Sequence, residues 1–74
     1  MNNTRRKLIV KIIEDLEDLQ GRLEEVRDEE EEYKDSIPEP FTEKIEKAEN
    51  ICDQLNVAYD SISEVLESLM NLED

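Results

Sequence analysis

The chain has 74 residues, 42% of them charged, with one cysteine, no histidine and a formal net charge of −13. Such a length allows one domain, 1–74, that buries too little surface to stand comfortably alone. An internal disulfide is excluded, the usual metal ligand and neutral-pH acid–base is missing, and one cysteine fits a reducing cytosol.

Residues 1–13 carry four bases and no acid. Arg5, Arg6 and Lys7 precede the apolar run Leu8 to Val10, with Ile12 and Ile13 beyond. The run is far too short for a membrane span. Acids follow at once at Glu14, Asp15, Glu17 and Asp18, without a small-residue cleavage site, which argues against a signal peptide. From Ile9 the apolar positions continue at Ile12, Leu16, Leu19, Leu23 and Val26, then Glu30, Tyr33 and Ile37. Steps of three and four alternate throughout, an a/d heptad seam with Ile9 at position a. The pattern predicts a helix over about 4–35, capped by Asn3 or Thr4. Pro38 and Pro40 stop it and place a turn at about 36–41.

The seam resumes at Phe41, Ile45, Ala48, Cys52, Leu55, Tyr59, Ile62, Leu66 and Leu69. A second helix is expected over about 42–72, capped by Thr42. Counted outward from the turn, Ile37 falls opposite Phe41, Val26 opposite Cys52, Leu19 opposite Tyr59 and Ile9 opposite Leu69. A short turn makes neighbouring helices antiparallel. The fold class is therefore all-α, a long antiparallel two-helix hairpin assembling into a four-helix bundle or higher homo-oligomer. At its open end the cations Arg5 to Lys7 and the anions Glu73 and Asp74 each sit at the wrong end of a helix dipole and are expected to offset each other, with a basic docking patch as the alternative reading of the cations.

Three features lie outside the seams. Apolar residues are in surplus at Leu8, Val10 and Ile13 on the first helix and at Ile51, Ala58, Val65, Met70 and Leu72 on the second. They form the expected oligomer interface, with docking of a foreign helix as the alternative. Second, positions b, c and f of helix 1 hold Glu14, Glu17, Asp18, Glu24, Glu25, Asp28, Glu31, Glu32 and Asp35, broken only by Gly21. Like-charged neighbours four apart each destabilise a helix by about 0.2–0.5 kcal/mol. Their spacing of about 3.7 Å per charge approaches the about 3.4 Å of one DNA strand. The ridge reads as a solubility face, as a nucleic-acid mimic, or as a docking face for a basic partner. Third, Glu30 is the one acid in a seam, expected to bend toward Lys44 or Lys47.

No catalytic constellation is legible: there is no Gly-rich phosphate loop and no base to activate Ser or Cys. The acids lack the loop spacing of a calcium site. No enzyme activity, cofactor, metal or small-molecule substrate is expected. The net charge argues against direct nucleic-acid binding and favours basic protein surfaces.

The segment Arg27-Asp28-Glu29-Glu30-Glu31-Glu32-Tyr33-Lys34-Asp35-Ser36-Ile37-Pro38-Glu39 resembles a group of small acidic helical-hairpin proteins of Gram-positive phages and mobile elements. Their pattern is Arg-Asp-Glu-Glu, two residues, an aromatic, Asp-Asn, an aliphatic and Pro-Glu, ahead of a second acidic helix. The match is close at the hinge and loose along both helices, about half of the chain. Ser36 stands where the group has Asn, and Pro40-Phe41 departs from its polar-plus-Leu continuation. The resemblance implies a helical hairpin from a phage or mobile element and, with it, inhibition of a host defence protein in a bacterial host cell. The net charge and the apolar surplus give that partner a basic or apolar surface, and the lone cysteine places the chain in the cytoplasm. The alternative is a structural or regulatory homo-oligomer with no inhibitory role.

Overall fold

The computed structural model describes residues 1–72. Helix α1 spans Asn3–Ser36 and α2 spans Thr42–Met70. The Asn2 side chain, one or two residues ahead of the expected caps Asn3 or Thr4, accepts a 2.8 Å hydrogen bond from the Arg5 N–H. It thereby satisfies one of the orphan donors of the first turn. At the other end Ile37 is extended, with φ −74° and ψ 127°, as a residue before proline must be. The Ser36 hydroxyl donates to the Tyr33 carbonyl at 2.7 Å, and the Ile37 N–H to the Lys34 carbonyl at 3.2 Å.

The turn closes through the Phe41 N–H, which donates to the Pro38 carbonyl at 3.0 Å. The Phe41 carbonyl then accepts the Ile45 N–H, so Phe41 is the N-cap of α2, with no side-chain cap bond. Thr42, expected to be the cap, is instead the first helical residue. Helix α2 ends at Met70, two residues before the expected boundary, where the Asn71 N–H bonds the Glu67 and Leu69 carbonyls. Glu73 and Asp74, expected to offset Arg5–Lys7, lie outside the described residues.

The helices run antiparallel along their whole length, in a rod of 59 × 15 × 11 Å. The α2 seam lies where the heptads place it: Ile45, Ala48, Cys52, Leu55, Tyr59, Ile62, Leu66 and Leu69 are buried or half-buried. Phe41, at its closed end, is 51% exposed and drops out. The α1 seam differs from expectation. Its half-buried residues are Ile9, Ile13, Leu16, Gln20, Leu23, Arg27, Glu30, Lys34 and Ile37. Positions a are kept, but e replaces d. Ile12, Leu19, Val26 and Tyr33, expected in the seam, are exposed. At 100° per residue this turns α1 by about 50° about its axis.

Three interhelical hydrogen bonds accompany the rotation. Gln20 Nε2 donates to the Tyr59 carbonyl at 3.1 Å and to the Ser63 hydroxyl. Arg27 Nη1 donates to Asn56 Oδ1 at 2.9 Å, and its guanidinium lies 5.9 Å from the Tyr59 ring centre. Ser63 and Asn56 lie about a turn further along α2 than the turn-centred pairing places opposite Gln20 and Arg27. Side chains lean toward the N-terminus of their own helix, so tips in an antiparallel pair meet beyond their Cα level.

Little is buried. Among the described residues only Ala48, Cys52 and Leu66 fall below a tenth exposed. The radius of gyration is 17.3 Å, against about 11 Å for a compact domain of this length.

Gly21, at outward position f, has nothing within 4 Å of where a Cβ would stand. Gly21→Ala is expected to stabilise the fold by about 1 kcal/mol by helix propensity alone. A thermal melt followed by far-UV circular dichroism checks it, and an unchanged midpoint would show that α1 is not continuous there.

Candidate functional site

The rotation of α1 divides the hairpin into two unlike sides. Gln20 and Arg27 occupy position e of α1, and their partners Asn56 and Ser63 occupy e of α2. In an antiparallel pair like-lettered flanks meet on one side, so both e stripes form a polar clasp. Position d of α1 and position g of α2 lie on the opposite side. There Ile12, Leu19, Val26 and Tyr33 stand beside Ile51, Ala58 and Val65. A groove of about 380 Å³ on this side is lined by Leu19, Arg22, Leu23, Val26 and Ile62, which places the d stripe of α1 directly against α2.

This rearranges the expected oligomer interface. Ile51 and Val65 are about half exposed on the apolar side, and Ala58 is half-buried there. Ile13 is absorbed into the seam as a half-buried residue. Val10, Met70 and Leu72 line a separate groove of about 460 Å³ at the open end, with Met1, Arg6, Ile9, Ile13 and Leu69. Leu8 is 59% exposed and lines neither groove. The residues missed by sequence reasoning are Ile12, Leu19, Val26 and Tyr33, assigned to the seam because a three–four apolar pattern was complete without Gln20 and Arg27.

All nine ridge carboxylates, Glu14, Glu17, Asp18, Glu24, Glu25, Asp28, Glu31, Glu32 and Asp35, are exposed. The ridge borders the clasp: Arg27 Nη2 lies 3.3 Å from Asp28 Oδ1 and 3.8 Å from Glu24 Oε1. Hydrogen bonding to Asp28 raises the Arg27 pKa further above its ordinary range. Asp18 lies 4.0 Å from Arg22. The other six ridge acids form no ion pair among the described residues.

At the closed end Glu30 is half-buried but does not reach Lys44 or Lys47 as expected. Lys44 Nζ instead lies 5.2 Å from the Phe41 ring centre. Cys52 is 4% exposed. Burial pushes its thiol pKa up, helped by Glu31 and Glu30 and opposed by Lys34. It is a small buried apolar group rather than a reactive thiolate. Among the described residues no group of His, Cys, Asp and Glu could hold a metal ion, and no helix is long and apolar enough to cross a membrane. No protein-family model, curated protein or solved structure matches the chain.

Two outcomes follow from the clasp and the thiol. In a double-mutant cycle, Arg27→Ala and Asn56→Ala should each lower the urea midpoint, and the double variant should lose little more than either single. Simple additivity would mean that the bond does not form in solution. The Cys52 pKa is higher folded than unfolded, so its contribution to stability is full below the ordinary thiol value of 9.0 and is lost as pH rises above it. Cys52→Ala should flatten the decline in melting temperature above that pH; parallel declines in both proteins would refute the assignment.

Proposed function

We propose that the chain is a non-enzymatic protein-binding module that presents its acidic ridge to a basic surface of a host protein, as an inhibitor. One observation carries this reading. Nine carboxylates project from one side of a single unbroken helix, and six of them have no cation partner among the described residues. Such a face opposes helix formation, because like charges three and four residues apart repel. A face kept only for solubility would mix in lysine. The ridge runs about 32 Å along one continuous helix, a geometry suited to a linear array of basic side chains. The hinge resemblance to hairpin proteins of phages and mobile elements adds the inhibitory role and the bacterial cytoplasm as its setting.

A second reading is a structural or regulatory homo-oligomer without inhibitory role. It is favoured by the exposed apolar residues of both helices, Ile12, Leu19 and Val26 on α1 and Ile51 and Val65 on α2.

The ridge is tested by changing Glu17, Glu25, Glu31 and Glu32, none of them in an ion pair among the described residues, to Gln together. Wild-type protein immobilised in a Gram-positive lysate should retain a stoichiometric basic partner that moderate salt elutes, because exposed charges are screened beyond about 8 Å at physiological ionic strength. The variant should lose that partner while melting at a higher temperature. Undiminished capture by the variant, or capture insensitive to salt, would remove the ridge from the mechanism.

A further inference from the structure

We infer that a second copy of this chain covers the apolar side of the hairpin, pairing two hairpins through Ile12, Leu19, Val26 and Tyr33 of α1 and Ile51 and Val65 of α2. The acidic ridges then face outward. This inference does not depend on the ridge having a partner.

Area points to a protein surface of this size. The chain exposes 5913 Å², about 1,200 Å² more than the about 4,700 Å² expected of a compact chain of its mass. A standard interface takes about 800 Å² from each partner, so the excess suffices for one.

Shape points to the chain itself. The stripe on α1 runs from Ile12 to Tyr33, about 32 Å at 1.5 Å per residue, and a parallel stripe on α2 flanks it. A single foreign helix would fill the channel between them and leave the outer edges wet. A second hairpin offers two helices of the same length and heptad spacing. The groove between Leu19, Val26 and Ile62 is open to receive an apolar knob. The same patch on both copies is what a two-fold pair requires.

Charge points the same way. In a chain with 22 acids, the outer border of this side on α2 is Lys47, Gln54, Ser61 and Ser68, position c of its heptads. The border on α1 alternates Asp15, Arg22 and Glu29 at position g. The ridge lies beyond the clasp, toward the opposite side, where Glu24 and Asp28 meet Arg27. Two copies can therefore approach on the one side that is nearly free of excess negative charge.

The experiment is sedimentation equilibrium at micromolar concentration together with hydroxyl-radical footprinting of the full chain. The expected mass is twice 8.7 kDa. Tyr33 and Phe41 are each 51% exposed in the single hairpin, so in a monomer their labelling is alike once each ring is normalised to its intrinsic reactivity. In the pair Tyr33 is shielded and Phe41, at the turn, is the internal reference. Leu19→Glu with Val65→Glu should halve the mass. Val10→Glu with Met70→Glu, on the open-end groove, should leave it unchanged. Should the first variant fail to fold, the unmutated chain still decides through its mass and the Tyr33 to Phe41 ratio. A monomeric wild type overturns the inference, as does equal normalised labelling of the two rings or dissociation by the groove variant alone. A monomer that loses a stoichiometric foreign protein on Leu19→Glu with Val65→Glu would assign the side to that protein instead.

Discussion

The face that α1 turns toward α2 governs the rest of this structure. Two faces of α1 are available, a/d and a/e, and they share Ile9, Leu16, Leu23, Glu30 and Ile37. The a/d face would bury Ile12, Leu19, Val26 and Tyr33. The a/e face buries Ile13 and brings Gln20, Arg27 and Lys34 to the seam. A net hydrogen bond contributes about 1 kcal/mol, whereas full burial of one large apolar side chain contributes about 1.5–3 kcal/mol. A hairpin judged by itself would therefore favour a/d. The observed choice becomes favourable overall once the d stripe is covered by another surface. The seam is then only one of two interfaces that α1 serves.

Much of this was legible in the heptads. The steps of three and four, the proline pair and the short turn fixed the helices and their antiparallel arrangement, and α2 faces α1 through the expected seam although Ala48, Ile51, Leu55, Ala58, Ile62, Val65, Leu69 and Leu72 form a second unbroken apolar run beside it. The choice between d and e on α1 was not legible, because the alternative spacing is equally regular and its members at Gln20, Arg27 and Lys34 read as surface residues. A usable signal did exist. Gln20 and Arg27 share one heptad position seven residues apart, and Asn56 and Ser63 share one seven apart on α2. Such polar sets in matching register on two facing helices can pair across the seam. The caps were missed for local reasons. Asn2 precedes two other good capping residues, Asn3 and Thr4. Pro38 accepts the Phe41 N–H and fixes the start of α2 before Thr42 can act.

The closed end obeys a different economy. Ala48 is 1% exposed and Cys52 4%, both small, so the helix backbones can approach there. Glu30 and Lys34 border the same region, half-buried and of opposite charge, and both act on the Cys52 thiol. Long polar side chains can bury their stems beside small residues and keep their heads in water. An acid in a seam is thus tolerated opposite Ala48 without a dedicated cation, and a fully buried carboxylate, which would be costly to desolvate, is avoided.

The same rotation also decides where the negative charge goes. With a/d toward α2, positions b and c of α1 would flank the seam axis symmetrically, and Asp18, Glu25 and Glu32 would tilt toward the apolar side. Turning α1 by about 50° swings positions b, c and f together toward the clasp. Glu24 and Asp28 then come within reach of Arg27, the residue that holds the clasp to Asn56. One guanidinium thus joins the ridge to the seam and anchors the rotation. A chain of net charge −13 could not bring two copies together on a surface ringed with carboxylates, since exposed like charges within about 8 Å repel at physiological salt. Moving the ridge away from the apolar side removes that repulsion. The orientation that leaves Leu19 and Val26 uncovered is therefore also the one that lets a second negatively charged chain reach them.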